Sequence, residues 1–210
     1  TYDDTAANIA AAFDGITSFE GGLNLIDTGS ILASDVIFIS SLTSGATTAN
    51  ATSNITGSSA EIVSAIGAVS FSPDVTLAIT GTDPATVAEL MTINATTSGN
   101  VVLNAATIAQ TYDDTAANLA AAFDGIKTSA ATLKITAGTP AATIANLTTI
   151  YAATSGNVVL NPETIGANLE GTASDFAATF SNVPNAGFTV TLIGADSATI
   201  DELKTINGAI

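Results

Sequence analysis

Residues 2–13 read YDDTAANIAAAF, and residues 112–123 repeat them with one change as YDDTAANLAAAF. Looser copies lie at residues 58–66 and 172–180, so the segment recurs with a period of roughly 53–57 residues, which is typical of repeat proteins. A second segment, TVAELMTIN at 86–94, returns at 143–151 and at 199–207. Both segments carry apolar residues at helical spacing, which predicts an array of repeated helices.

Short apolar runs follow these helix-like segments. The run SGNVVLN occurs at 98–104 and again at 155–161, and its alternating pattern predicts a short strand. Corresponding strands are predicted at residues 23–26, 47–50, 75–80, 100–104, 132–136, 157–161 and 188–193. The segment 31–42 is predicted as a helix by alignment, although its DVIFIS pattern alone is typical of a strand.

These patterns predict a right-handed α/β solenoid. Each half-repeat of about 28 residues contributes one helix and one short parallel strand, and two halves form a full repeat of about 57 residues. Residues 1–210 are predicted to form a single repeat array and a single sheet. The approximate coils are 1–26, 27–56, 57–81, 82–110, 111–138, 139–167, 168–194 and a partial coil at 195–210. The uncovered face of the sheet is expected to present Asn24, Thr48, Ala78, Val102, Lys134, Val159 and Thr191.

Several recurring residues are expected to have structural roles. Asp83-Pro84 and Thr139-Pro140 have the pattern of a capping side chain followed by proline at the first helical position. Ser58 with Glu61 and Thr172 with Asp175 have the spacing of a capping box. Glycines in the turns after the helices are expected to adopt positive φ, and they are Gly45, Gly99 and Gly156. Asparagines after the strands are expected to bond to backbone groups of the turns, with ligand contact as the alternative, and they are Asn50, Asn104 and Asn161.

Charge and composition exclude several classes of function. Three lysines stand against 19 acidic residues, for a net charge of −16, so binding to nucleic acid is not expected. The chain contains no cysteine, histidine or arginine, which removes disulfides and most catalytic and metal-binding constellations, and neither an enzyme nor a cofactor is expected. No apolar run approaches the ~18 residues that membrane insertion requires.

The acidic pairs Asp3-Asp4 and Asp113-Asp114 are the most conspicuous candidates for chemistry. Their position beside helix starts favours capping, because carboxylates there accept backbone N–H groups and interact well with the helix dipole. A calcium site and a catalytic acid pair remain weaker alternatives for these four residues.

The segments TYDDTAANLAAAFDGI at 111–126 and TPAATIANLTTIYAATSGNVVLNPETI at 139–165 resemble the repeats of giant, acidic, cysteine-free secreted surface proteins of marine cyanobacteria and similar bacteria. The half-repeat is only loosely similar to a leucine-rich repeat. The resemblance implies an extracellular or cell-surface location and a structural or adhesive role, as part of a longer fibre, stalk or surface layer. The expected partners are copies of the chain or flanking repeats, end to end. The alternative is a module that recognises glycan, mineral or ice through the open sheet face.

Overall fold

A computed structural model describes residues 1–16, 19–126, 129–136, 142–161, 168–181, 189–194 and 197–209. The protein is an α/β protein, and all strand pairs in the described part of the chain are parallel, which confirms that part of the predicted fold. The chain divides into two compact units, Thr1–Ile108 and Ala109–Ile210. No helix in the described ranges is long and apolar enough to cross a bilayer.

The first unit contains two parallel sheets of four strands each, with strand orders β1-β2-β4-β6 and β3-β5-β7-β8. Its elements are β1 (Tyr2–Asp4), α1 (Ala6–Ala12), β2 (Leu23–Leu25), β3 (Ser30–Leu32), α2 (Ala33–Ser41), β4 (Thr47–Ala49), β5 (Asn54–Gly57), α3 (Ser59–Ala68), β6 (Ser70–Phe71), β7 (Thr76–Ile79), α4 (Val87–Thr96), β8 (Val101–Val102) and α5 (Ala105–Ala109).

The described part of the second unit contains a three-stranded sheet of order β11-β10-β9 and a two-stranded sheet of β12 and β13. Its α6 packs on α7, and α8 packs on both α7 and α9. Its described elements are β9 (Thr111–Asp114), α6 (Ala116–Phe123), β10 (Thr132–Ile135), α7 (Ile144–Ala153), β11 (Val158–Val159), β12 (Asn168–Gly171), α8 (Ala173–Phe180), β13 (Thr189–Leu192) and α9 (Ile200–Ala209).

The prediction of a single sheet with one strand in each half-repeat is wrong. Tyr2 of β1 pairs with Leu23 of β2, and Leu133 of β10 pairs with Val158 of β11. In both pairs the two residues are closer in the sequence than one predicted half-repeat. Three strands begin at the same point of successive long repeats, at Asn54, Thr111 and Asn168. The 54–110 and 111–167 repeats therefore each contain at least three strands, unevenly spaced, instead of two equal halves.

All seven predicted strand segments contain a strand, but six further strands among the described residues were not predicted. The missed strands are β1, β3, β5, β6, β9 and β12. In β5, β9 and β12 a single large apolar side chain is buried, namely Ile55, Tyr112 and Leu169. Because the other positions are polar or glycine, these strands lack the alternating apolar pattern by which strands are predicted.

The ambiguous segment 31–42 is a helix for most of its length, as the alignment predicted. Helix α2 occupies Ala33–Ser41, while Ile31 and Leu32 belong to strand β3. Val36 and Ile39 are fully buried on one side of α2, and Phe38 remains exposed. The apolar run therefore contains a helical stripe that faces the core.

The strands alternate between buried and outward-facing side chains. Leu77 and Ile79 of β7 are buried, as are Leu133 and Ile135 of β10, while the intervening Lys134 is exposed. The largest fully buried side chains are Leu23, Leu25, Ile39, Ile55, Ile62, Leu77, Leu90 and Ile93 in the first unit, and Leu119, Phe123, Leu133 and Phe176 in the second. Apolar burial of this kind is the main stabilising contribution to each unit.

Two predicted helix starts are wrong. Helix α4 begins at Val87, where Thr86 and Glu89 form a capping box, so Asp83 is not the cap and Pro84 precedes the helix. Thr139 and Pro140 lie outside the described residues, but the helix that they were predicted to start begins later, with Thr143 as its cap. The apolar periodicity and the spacing Thr-x-x-Glu in α4 or Thr-x-x-Asn in α7 indicate the observed starts better.

The capping boxes predicted at Ser58 with Glu61 and at Thr172 with Asp175 are confirmed. The amide and hydroxyl of Ser58 both donate to the Glu61 carboxylate at 2.8 Å, and these bonds lower the pKa of Glu61. Burial raises the pKa of Glu89, but bonds from Thr86 and Ser59 outweigh it, and the pKa is lowered. In the first turn of α3 and of α4, therefore, a glutamate carboxylate accepts hydrogen bonds in its ionised form.

These carboxylates predict a loss of stability in acid. A group whose pKa is lower in the folded chain stabilises it above the unfolded pKa, here about 4.5, and that contribution disappears as pH falls through the folded pKa. We expect the free energy of unfolding, measured with urea, to decrease as pH falls below 4.5. The variant Glu61→Gln keeps a hydrogen-bond acceptor at N3 and should show a shallower decrease. An unchanged pH dependence in this variant would contradict the prediction.

Candidate functional site

A Thr-Ser-Gly segment recurs just after three helices, at residues 43–45, 97–99 and 154–156. In each copy the threonine hydroxyl donates to a backbone carbonyl, in the segment that leads into the neighbouring strand β2, β7 or β10. Thr43 Oγ1 lies 2.6 Å from Gly21 O, Thr154 Oγ1 lies 2.6 Å from Ala131 O, and Thr97 Oγ1 bonds to Val75 O. We call this arrangement the Thr-Ser-Gly clasp.

The same hydroxyl also fixes the turn of the clasp. The glycine N–H donates to it at 2.8 Å in the first two copies and at 2.9 Å in the third. The serine N–H adds a second bond to the same neighbouring segment, at 2.9 Å from Ser44 N to Phe19 O and at 2.7 Å from Ser98 N to Pro73 O. The clasp therefore joins a helix end to a segment that precedes the helix in the chain, and it does so three times.

The role predicted for the clasp glycines is wrong. Positive φ occurs at Gly15, Gly81, Gly125 and Gly194 among the described residues, and not at Gly45, Gly99 or Gly156. A Cβ built on Gly45 would lie 2.6 Å from Gly21 O, and one on Gly99 would lie 2.6 Å from Val75 O. At Gly156 it would meet the carbonyl oxygens of Ala130 and Ala131. Glycine is required here because two backbone segments approach closely.

Sequence reasoning missed the clasp threonines, which make the most consistent contacts of the repeat. The available signal was the triplet Thr-Ser-Gly itself, which is identical in all three copies although the following strand degenerates from VVL to TTA in the first. A hydroxyl that stays constant while apolar neighbours change indicates a specific hydrogen bond more than a general turn preference.

Asn104 bonds to the loop before α4. Its Nδ2 donates to Asp83 O at 2.9 Å and to Gly81 O at 3.1 Å, and its Oδ1 accepts from Thr107 N at 2.8 Å. Thr107 is fully buried, and its hydroxyl accepts from Ala85 N at 2.9 Å. Asn50 and Asn161, at the corresponding positions, are exposed. In the Asn104 copy, therefore, the asparagine holds backbone groups of the neighbouring turn.

The two acidic pairs end strands β1 and β9, directly before the helix caps Thr5 and Thr115. Asp4 Oδ1 accepts from Thr5 N and from Asn8 Nδ2, both at 2.7 Å, and these bonds lower the pKa of Asp4, with the Asn8 bond as the larger cause. Asp114 makes the same two contacts, to Thr115 N and Asn118 Nδ2. These two carboxylates therefore fix the helix starts.

The first residue of each acidic pair makes different contacts. Asp113 forms an ion pair with Lys134 at 2.7 Å across strands β9 and β10, while Asp3 lies opposite Asn24 in β2. Within the described ranges, no group of three or more acidic side chains lies close enough together to hold a metal ion. Asp4 and Asp114 thus bond to the residues that cap the helices, and Asp113 pairs with Lys134 across the sheet.

The side chains predicted for the open sheet face are all at least partly exposed, but they do not form one strip. Asn24 and Thr48 are bonded to each other at 2.7 Å in one sheet, while Ala78 and Val102 lie in the other sheet of the first unit. The outward row of that second sheet is Leu32, Thr56, Ala78 and Val102. The exposed residues at the two ends of this row, Leu32 and Val102, are apolar, and the side chains between them are small.

One surface hollow lies along α9. It has a volume of about 510 Å³ and is lined by Ile200, Leu203, Lys204, Ile206 and Asn207. Smaller hollows of about 280 Å³ and 260 Å³ lie beside α6 and α7 and beside the first clasp. Among the described residues that line the α9 hollow, Lys204 alone is charged, which makes the hollow suited to an uncharged, apolar occupant.

The described side chains are thus arranged for fastening backbone segments to each other. Hydroxyl, amide and carboxylate groups bond to nearby N–H and carbonyl groups, and burial raises the pKa of Tyr151 to about 12. Comparison of the chain with protein-family models, with curated proteins and with solved structures gave no significant match.

Proposed function

We propose that the chain is an extracellular structural or adhesive module, and that each unit is a stretch of right-handed α/β solenoid that stacks end to end with copies of itself or with flanking repeats. The observation that carries the proposal is the repeated contact between neighbours in sequence. All described strand pairs are parallel and join segments less than one half-repeat apart, and the clasp adds the same bonds three times.

Contacts of this kind support an extendable architecture within each unit. When each coil contacts only its neighbours, stability is approximately a sum of coil and interface contributions, and the array can be lengthened without redesign. Parallel strands joined through helices are right-handed in nearly all known cases, which supports the proposed handedness. The resemblance of residues 111–126 and 139–165 to the repeats of secreted bacterial surface proteins supports a location outside the cell.

The composition supports a role without catalysis. The chain has no histidine, cysteine or arginine, and three of the four carboxylates in its acidic pairs bond to residues at helix starts or to Lys134. Recognition of a glycan, mineral or ice surface receives less support, because the outward-facing residues belong to separate sheets and are chemically mixed.

The test is the state of assembly across a salt series. The net charge of −16 opposes association at low ionic strength, and salt screens it, so we expect light scattering and electron microscopy to show longer assemblies as salt increases. Tyr2→Glu combined with Leu203→Glu should reduce assembly, because both side chains are exposed, in the first strand and the last described helix.

The matched control is Leu32→Glu combined with Phe38→Glu. Both residues are exposed and apolar, and the control adds the same charge in β3 and α2 of the first unit. It should assemble like the unmodified chain. A monomer at every salt and protein concentration would refute assembly, and equal loss in both variants would show that charge alone is responsible.

A further inference from the structure

The hollow of about 260 Å³ beside the first clasp lies in the middle of the first unit. It is lined by residues 45–47, which belong to the clasp and the start of β4, and by residues 66–70, which belong to the end of α3 and the start of β6. Strand β4 is paired on both sides, with β2 and with β6. The hollow is therefore formed by neighbouring segments inside the unit. We call it the α3 hollow.

The lining of the α3 hollow is small and uncharged. Gly45, Ala46, Gly67 and Ala68 have at most a methyl group as side chain, so backbone atoms are accessible on both sides of the hollow. A Cβ built on Gly67 would have no atom within 4 Å. None of the described lining residues carries a charge.

The end of α3 supplies hydrogen-bond acceptors to this place. The helix has ten residues, and its C-cap Val69 donates its N–H to Ala65 O. The carbonyl groups of Ile66, Gly67 and Ala68 accept no hydrogen bond from another described residue. The last turn contains no basic side chain. The end of a helix carries a partial negative charge, which favours a cation beside these carbonyl groups.

Thr47 provides a second, independent observation. It lines the hollow and is only 6% exposed, yet its hydroxyl makes no hydrogen bond with another described residue. The adjacent Thr48 donates to Asn24 at 2.7 Å. In the other two clasps the position of Thr47 is occupied by Val101 and Val158. A buried hydroxyl without a partner is costly where valine would fit, so its presence indicates a partner from outside the chain.

We propose that the α3 hollow binds an alkali metal cation, Na⁺ or K⁺, through carbonyl oxygens at the end of α3 and the hydroxyl oxygen of Thr47, with water as the remaining ligand. Neutral carbonyl oxygens can replace part of the hydration shell of such ions. Calcium and magnesium sites usually include carboxylates, and the described lining has none. The net charge of −16 raises the local concentration of cations and disfavours an anion.

The bound cation would fasten the end of α3 to the first clasp. A ligand that binds only the folded chain stabilises it by mass action. At a free cation concentration about ten times the dissociation constant, the equilibrium constant for opening the site falls roughly elevenfold. This effect depends on the identity of the cation, whereas screening of the net charge depends on ionic strength alone. The inference is independent of stacking, because one molecule contains the whole site.

The experiment measures amide hydrogen exchange of the full-length chain at one fixed ionic strength, while NaCl or KCl replaces choline chloride. Exchange at residues 47–49 and 62–71 should slow by a factor on the order of ten as the site fills. Exchange in the second unit should not change, because its described residues do not line this hollow.

Thr47→Val is the decisive variant, because it removes the hydroxyl, keeps the shape and restores the residue found in the other two clasps. It should lose the response to Na⁺ and K⁺. Thr47→Ser keeps the hydroxyl and should retain the response, while Thr47→Ala should lose it. The matched control is Thr76→Val, which removes a hydroxyl from β7 in the other sheet of the first unit and should respond like the unmodified chain.

Several outcomes would overturn the proposal. Equal exchange in choline, sodium and potassium chloride would show that the hollow holds water only. An undiminished response in both Thr47→Val and Thr47→Ala would remove the hydroxyl from the site. Slower exchange with CaCl₂ but not with Na⁺ or K⁺ would mean a divalent ion, and equal slowing in both units would mean a general salt effect. Light scattering of the same samples reports assembly separately, so failure of stacking leaves the cation result unaffected.

Discussion

Replacing Tyr112 with alanine is expected to lower the free energy of unfolding of the second unit by about 3 to 4 kcal/mol, in the range for loss of a buried aromatic side chain. Tyr112 is 2% exposed in β9, and its ring lies 5.1 Å from that of Phe123. Its removal leaves a cavity between strand and helix that the neighbouring residues only partly fill. Amide hydrogen exchange in α6, compared with the unmodified chain, measures the loss.

The control for this substitution is provided by the sequence itself. Tyr2 occupies the same position in the first copy of the YDDTAAN segment but is 58% exposed, so Tyr2→Ala should cost only about 1 kcal/mol. Exchange should accelerate in α1 much less than it does in α6. Equal effects of the two substitutions would mean that the difference in burial has no energetic consequence.

Replacing Gly99 with alanine is expected to destabilise the first unit by about 3 kcal/mol, at the upper end of the usual cost of overpacking. The added methyl group would overlap backbone atoms of Asp74 and Val75, and relieving the overlap requires separation of the clasp from the segment that leads into β7. The bonds from Thr97 and Ser98 to that segment would lengthen or break. Urea unfolding measures the change.

The matched substitution is Gly67→Ala. Gly67 lies in α3 with no atom near its Cβ position, and alanine should stabilise that helix by about 0.5 to 1 kcal/mol. The two substitutions add the same methyl group and are expected to have opposite effects. Destabilisation of similar size at both sites would contradict the close approach that we infer at the clasp.

Much of the secondary structure could be predicted from local sequence. The Val-Val-Leu strands, the helices with apolar residues at helical spacing, and the capping boxes of Ser58 and Thr172 are encoded within short segments. Strands such as Thr111–Asp114 could not be predicted, because a single tyrosine among polar residues does not make an alternating apolar pattern. The extended shape of this strand is stabilised by its pairing with β10, which comes later in the chain, after α6.

The candidate structural sites show the same division. The triplet Thr-Ser-Gly marked a turn after three of the helices. Its threonine bonds and the reason for its glycine depend on backbone carbonyls of a segment that precedes the same helix in the sequence. The predicted positive φ followed from the usual role of glycine at helix ends. The close approach of two backbone segments overrode that expectation.

The sequence by itself determined the repeat of about 57 residues, the α/β class, the parallel strands and most helix positions, because periodicity and capping are local properties. Only the tertiary structure decided which strands share a sheet and which side chains are buried. Tyr2 and Tyr112 lie in nearly identical segments, yet one is largely exposed and the other is buried. Burial depends on which other segments pack against a residue, and those neighbours are distant in the sequence.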